Sequence, residues 1–327
     1  MQPLVTVLMT VFNAESYLEK TLGSVLNQTY PHFELLIIDD CSSDRSLTII
    51  KSFQDPRIRF HRNERNQGQT KSLNVGLRLA QGKYIARMDA DDLAFPMWLE
   101  DQLRFIESHP EYAVVSTKAV VIDSQHKINK PLRSYSDSRD IFLRALVHSP
   151  INHVGCLMQK NIIIENGGYD ENFKIAADYE LWSILLRRGF KLTSTVKTLV
   201  AIRVHERSIS ILERGQADVR EISEIMHRNI KAFTTLPLEK DEVLLVWKLI
   251  YAAENLNMQQ FFQANEFLTQ IYSHLRNTKT ISSSYAKRFL KKEQFFLYLK
   301  KVFSSSPHFL HIVRKSLART KIGKRQL

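Results

Sequence analysis

The feature that most constrains this chain is a series of short, nearly uninterrupted apolar runs. Each ends in polar or acidic residues, and stretches of helical periodicity separate them. Residues 4–11 are the first run, rich in Val and Thr and bounded by Asn13; residues 35–38 are the second and stop at Asp39-Asp40. A short strand is predicted over 58–61, and a fourth over 83–88 runs into Asp89-Ala90-Asp91-Asp92. Runs this apolar are buried on both faces, as the strands of parallel sheets are. Between them, Leu18, Leu22, Val25 and Leu26 share one helical face, and Tyr30-Pro31 is expected to end that helix. A second helix carries Leu47, Ile50 and Phe53, with Ser43 or Asp44 as cap; a third spans 68–80; a fourth starts at Pro96 and carries Leu99, Leu103 and Ile106. The alternation predicts an α/β architecture with right-handed βαβ units and a mostly parallel sheet.

Ligands of such sheets bind beyond the carboxyl ends of the strands. Asp39-Asp40 and the acidic run at 89–92 both sit at such ends, so they are expected to face one crevice. If the chain stays extended through Asp89-Ala90-Asp91, the two carboxylates fall on the same side. Like charges that close repel unless a cation binds between them, and hard oxygen ligands suit Mg2+ or Mn2+. The competing reading is an exposed acidic turn ahead of the helix at Pro96. Asp39 and Asp40 alternate across their strand end, so only one should face the crevice; a helix-capping cluster with Ser42, Ser43 and Asp44 is an equal alternative.

Other classes lose ground on the same residues. No GxGxxG follows the first strand and no Walker sequence occurs, against a dinucleotide dehydrogenase or a P-loop NTPase. Cys41 and Cys156 have no ligand spacing and read as inert thiols in a reducing compartment. The apolar N-terminus lacks a basic n-region and reads as a strand, and no stretch approaches the ~18 apolar residues of a spanning helix.

Taken in order, several segments resemble the inverting glycosyltransferases of family 2. They are Thr10-Val11-Phe12-Asn13, the stretch 24–30 (SVLNQTY), 34–43 (ELLIIDDCSS), Asn66-Gln67-Gly68 with Lys71, Leu73 and Asn74, and 88–92 (MDADD). Gly167-Gly168-Tyr169-Asp170, the segment 177–182 (ADYELW) and Arg203-x-His205-x-x-Ser208-x-Ser210 continue the series, so the resemblance covers roughly residues 3–212. It implies a GT-A fold, a nucleotide-sugar donor (a UDP-sugar first) and Mn2+ or Mg2+. Position by position, it implies that Thr10, Val11 and Asn13 line the nucleotide pocket. Asp40, with Asp39 beside it, would hold the base or ribose, and Lys71 would lie near the base and phosphates. Asp89 would face the ribose, Asp91 and Asp92 the metal and pyrophosphate, and His205 the metal or a phosphate. Asp178 would be the catalytic base, although it also precedes a helical stretch and could cap it. Ala177 stands where the family usually has Glu. His153 falls at an acceptor-side position of the family, and Trp98 and Trp182 read as core.

Strands stop near Gln216, and 217–233, 241–256 and 258–275 have helical periodicity, with a break near Asn257. The expected organisation is a GT-A catalytic domain over 1–214, a helical appendage over 215–278 and a basic amphipathic tail over 279–327. That tail holds thirteen Lys and Arg against the single acid Glu293, and so accounts for the whole net charge of +12. Tyr285, Phe289, Phe296, Leu299 and Phe303 stripe it, and Leu310, Val313 and Leu317 follow Pro307. Basic aromatic helices lie in anionic membrane interfaces, so the expected partners are a membrane surface and a saccharide or lipid-linked acceptor rather than nucleic acid. The expected location is the cytoplasm, at the inner face of the plasma membrane. A nucleotidyltransferase acting on nucleotide sugars, or a non-catalytic basic module binding membrane or nucleic acid, are the alternatives.

Overall fold

Each apolar run is a strand. β1 (Val5–Val11) and β2 (Phe33–Asp39) are buried along their whole length, and β4 (Tyr84–Asp89) is buried up to its last residue. β3 (Ile58–Arg62) lies at the sheet edge. Helices α1 (Leu18–Leu26), α2 (Ser46–Ser52) and α3 (Gln69–Leu79) connect them. β1 pairs in parallel with β2 on one side and β4 on the other, and β2 pairs in parallel with β3. The chain therefore builds outward from β1 to β3 and then returns past β1 to β4, leaving a switch point between β1 and β4. Burial on both faces is why these strands show no alternation: each fully buried Val, Leu or Ile contributes roughly 1.5–3 kcal/mol. The edge strand instead carries Arg59, His61 and Arg62, charges that discourage pairing with another chain.

The computed structural model describes residues 4–132, 134–206, 216–234, 236–252 and 255–277. After β4 come β5 (Leu93–Ala94), α4 (Trp98–Ser108), β6 (Tyr112–Ile122), β7 (Ile128–Pro131) and α5 (Ser138–Ala145). Then follow β8 (Leu157–Gln159), α6 (Lys160–Glu165), α7 (Ala177–Arg187) and β9 (Lys191–Arg203). The nine strands form one sheet in the order β3-β2-β1-β4-β8-β6-β9-β5, with β7 alongside β6. It is parallel through β3-β2-β1-β4 and mixed beyond, because β8 runs antiparallel to both β4 and β6 while β6 and β9 are parallel. Trp98 and Trp182 are fully buried, as expected, and Trp98 Nε1 donates to the Gly155 carbonyl at 2.9 Å.

Two helix boundaries differ from expectation. α1 ends at Leu26, ahead of Tyr30-Pro31, because the Gln28 amide donates to the freed Ser24 carbonyl at 3.2 Å and to Phe95 O at 2.9 Å. At α2 the residue preceding the helix is Arg45, without a side-chain cap, and neither Ser43 nor Asp44 holds that position, although Asp44 Oδ1 accepts the Ser46 N–H at 2.9 Å.

The chain divides into two units, 1–218 and 219–327. Helices α8 (Gln216–Thr234), α9 (Lys240–Tyr251) and α10 (Met258–Asn277) carry the three helical stretches. A reciprocal capping box between Glu239 and Glu242 starts α9. That helix stops well short of residue 256 because Ala252 leaves helical backbone at φ −142° and ψ 42°. The break near Asn257 is a second reciprocal cap: Asn257 Oδ1 accepts the Gln260 N–H at 2.8 Å, and Gln260 Oε1 accepts the Asn257 N–H at 3.1 Å. No described helix is long and apolar enough to cross a membrane. The basic tail at 279–327 lies outside the described residues.

Candidate active site

The sheet register brings the acidic clusters together. Thr10 sits opposite Asp89 on one side, and Val11 sits opposite Asp39 on the other. The carboxyl end of β1 is thus flanked by one carboxylate from each neighbouring strand, beside successive residues of β1.

The loops after β1 and β2 are laced to each other. Asn13 N–H donates to Ser42 Oγ at 3.0 Å, Ser43 N–H to Asn13 Oδ1 at 2.9 Å, and Ala14 N–H to Ser46 Oγ at 2.9 Å. Asn13 has a positive φ of 50° and an exposed side chain at the crevice mouth. Thr10 is buried at the strand end, and Val11 packs into the core while its carbonyl accepts the Asp40 N–H at 2.8 Å. The Asp pair divides its work. Asp40 accepts from Asn63 Nδ2 at 2.8 Å, from Gly68 N at 2.8 Å and from Gln67 N at 3.1 Å, so it ties down the entry to α3. Asp39 Oδ1 accepts the Ser42 N–H; its Oδ2 lies 3.3 Å from Arg62 Nε but has no directed hydrogen bond. Both carboxylates of the pair are buried, Asp39 against Arg62 and Asp40 against the loop ahead of α3. Lys71 is exposed on the first turn of α3.

The acidic run at 89–92 is not extended. The chain turns at Ala90-Asp91, so Asp89 and Asp91 do not share a face by strand alternation. The end of β9 arranges them instead. Arg203 Nε donates to Asp91 O at 2.8 Å, Arg203 N–H donates to Asp92 Oδ1 at 2.6 Å, and the guanidinium lies over the Tyr17 ring at 4.6 Å. Two residues on, His205 Nε2 lies 2.9 Å from Asp91 Oδ2 and its ring is 4.9 Å from Tyr17. Burial and the like charge of Asp89 push the Asp91 carboxyl up, with His205 opposing. Asp92 is pushed well up by burial, and then by Asp91 and Asp89. It is enclosed, with one oxygen committed to the β9 backbone. Asp89 itself takes an ion pair from Arg87 and a hydrogen bond from Gln69 Nε2 at 3.1 Å.

Asp178 arrives by a chain of contacts that starts on α3. Asn74 Nδ2 donates to Tyr169 O at 2.8 Å, Asn74 Oδ1 accepts the Tyr169 N–H at 2.9 Å, and Thr70 Oγ1 donates to Phe173 O at 2.8 Å. Gly168 makes this approach possible: its φ is 68°, and a Cβ there would stand 2.8 Å from Asn74 Oδ1. The segment so held leads into α7. The residue preceding that helix is Ala176, with no side-chain cap, so Asp178 is in the first turn and is not the cap the sequence allowed. Its Oδ2 accepts from Ser149 Oγ at 3.1 Å. Burial raises its carboxyl to about 6; hydrogen bonds from the Tyr179 N–H and Ser149 pull the other way, and Asp89 adds a like-charge push. His153 Nε2 lies 2.7 Å from the Tyr169 hydroxyl and edge-on to Trp182 at 6.0 Å. Burial, then Arg87, hold it neutral.

Sequence reasoning assigned no role to Arg87, Arg203 or Ser149. Arg87 is fully buried under the crevice, counters Asp89, and was signalled only as a lone charge inside an apolar strand. Arg203 clasps the 91–92 turn and lies in a quoted motif. Ser149 carried no signal.

Residues 6–168 match the family described as Glycosyl transferase family 2. The chain is 33% identical over 214 residues to an uncharacterized glycosyltransferase of Haemophilus influenzae, a match spanning 62% of this chain and 66% of that protein. It is 32% identical over 219 residues to TuaG of Bacillus subtilis, a putative teichuronic acid biosynthesis glycosyltransferase, across 64% of this chain and 82% of TuaG. Among solved structures, S. aureus TarS 1–349 in complex with UDP-GlcNAc superposes with a TM-score of 0.62 at 18% identity, covering 92% of this chain and 91% of that one. At that identity the likeness establishes a shared GT-A fold.

Proposed function

Because this chain belongs to family 2 of the glycosyltransferases, we propose that it moves a sugar, with inversion, from a UDP-sugar to a hydroxyl of a saccharide or lipid-linked acceptor in surface polysaccharide synthesis. One observation carries the mechanism: Asp178, raised to about 6, lies in the first turn of a helix close enough to Asp89 to feel its charge. A carboxylate in that range is ionised at neutral pH and still basic enough to accept a proton. The acceptor oxygen attacks the anomeric carbon as its proton passes to Asp178, and the bond to the donor pyrophosphate breaks on the opposite face. Asp40, with Asp39 beside it, Thr10, Val11 and Asn13 line the nucleoside side, Asp89 faces the ribose, and Lys71 reaches the phosphates. The teichuronic acid relative supports the polymer reading, and the UDP-GlcNAc complex of TarS supports the donor.

The residues fit a divalent ion that takes part of its shell from substrate. Asp91 and His205 adjoin each other and Asp92 backs them; among the described residues no three His, Cys, Asp or Glu are placed to hold a metal by themselves, so the ion would take the rest of its shell from the donor and water. Mg2+ or Mn2+ keep waters and use pyrophosphate oxygens in such sites. When bound, the ion offsets charge growing on the departing UDP. The informative experiment is a screen of nucleotide sugars for donor hydrolysis with Mn2+. Turnover of one UDP-sugar above GDP- and CMP-sugars is expected, and no turnover of any donor by folded protein would refute the proposal.

The basic tail supports association with an anionic leaflet. The full chain should sediment with anionic vesicles and not zwitterionic ones, and salt should weaken this because exposed charges are screened within ~8–10 Å. Binding to duplex DNA but not to vesicles at matched salt would defeat the membrane reading.

A further inference from the structure

Beside Asp178 lies a cleft of about 390 Å3 whose lining includes Lys130, Tyr135, Arg144, Ser149 and Asn152. No residue placed above at the nucleotide or the metal lines it. Ser149 joins it to the base: the residue lines the cleft, and its hydroxyl donates to Asp178 Oδ2 at 3.1 Å. The cleft is therefore one side chain away from the group proposed to take the acceptor proton.

The cleft is marked by an uncompensated guanidinium. Arg144, in the last turn of α5, stacks on Tyr135 with its guanidinium carbon 4.4 Å from the ring centroid, and its Nη1 donates to the Tyr135 hydroxyl at 2.9 Å. Its Nε is buried and has no hydrogen-bond acceptor. Among the described residues no carboxylate pairs with Arg144 or with Lys130, which projects from the exposed strand β7. Two other buried cations are matched by carboxylates, Arg87 on β4 by Asp89 and Arg187 on α7 by Glu180 at 2.7 Å, and Arg203 donates to the Asp91 and Asp123 carbonyls. A buried donor without an acceptor is costly to keep. A guanidinium held flat by an aromatic ring presents paired N–H groups that fit the two oxygens of a carboxylate or phosphate.

The geometry points to an acceptor subsite for an anionic group. Arg144 and Lys130 bind a carboxylate or phosphate of the acceptor while its attacking hydroxyl lies at Asp178, so the acceptor is an acidic sugar or a phosphate-bearing chain. This rests on Asp178 being the base of a sugar transfer, and it adds the chemical class of what is glycosylated.

The test uses the full chain with UDP and Mn2+, titrated by NMR with methyl β-D-glucuronide, glycerol 3-phosphate and neutral methyl β-D-glucoside. At least one anion should bind about tenfold or more tightly than the glucoside, the range for one charge-assisted contact. Which anion is preferred distinguishes a carboxylate from a phosphate. Arg144→Gln and Lys130→Gln should each reduce the preference, and Arg144→Lys should restore part of it because it returns charge without the fork. Equal binding of anions and glucoside, no binding of either anion, or a preference that survives Arg144→Gln overturns the subsite. Titration of the same samples with UDP separates the two readings. UDP bound with no anion preference overturns the subsite alone, whereas absence of UDP binding overturns the donor reading beneath it.

Discussion

Asp178→Asn should cut transfer by ~10²–10⁴ while leaving UDP affinity intact, the usual cost of losing a general base. The substitution keeps shape and an acceptor for the Ser149 hydroxyl but removes the proton acceptor. The variant should not be less stable at neutral pH, and the sign follows from the shift. A carboxyl raised in the folded state to about 6 from its ordinary 3.8 binds protons more tightly there than in the unfolded chain. Its ionisation therefore opposes folding increasingly as pH rises through that window. Removing the charge relieves that opposition, so lost activity cannot be assigned to unfolding. The same shift sets the pH profile. With Asp178 as base, kcat/KM should rise with pH through a limb near 6 and flatten above it, and the limb should vanish in the Asn variant. Calorimetric titration with UDP and a pH series on both proteins check this. Loss of UDP binding, or transfer that survives, would show that Asp178 only supports the start of α7.

Chelation should abolish transfer, and Asp91→Asn should come close to doing so. A cation opposite a departing diphosphate supplies several kcal/mol of transition-state stabilisation, on the order of 10³-fold in rate. Asp91 is half-buried beside His205, whereas Asp92 is enclosed against the Arg203 amide. The two substitutions should therefore differ. Asp91→Asn should weaken Mn2+ binding, read by electron paramagnetic resonance, with an unchanged melting temperature. Asp92→Ala should lower the melting temperature as well, because the oxygen that accepts the Arg203 N–H is lost. Full activity in excess chelator would end the metal role, and unaltered Mn2+ binding in Asp91→Asn would move it to other residues.

The sequence by itself determined the strands β1 to β4, the helices between them and the convergence of two acidic clusters. These follow from local pattern: strands buried on both faces must be continuously apolar, and a parallel sheet must expose its functional residues at the strand ends. Asp39, Asp40, Asp89 and Asp178 were legible for that reason and through their motifs. What surrounds each carboxylate was decided only in three dimensions. Asp39 and Asp40 are adjacent and chemically alike, yet the donors on Asn63, Gln67 and Gly68 all reach Asp40, while Ser42 and Arg62 reach Asp39. Asp91 and Asp92 parted because the chain turns at Ala90-Asp91 and the end of β9 brings the Arg203 N–H to Asp92 and, two residues on, the His205 ring to Asp91. Arg87 under Asp89, and Arg144 stacked on Tyr135 beside Ser149, carried no periodic signal. A buried cation is defined by what surrounds it, and its surroundings come from segments far apart in the chain.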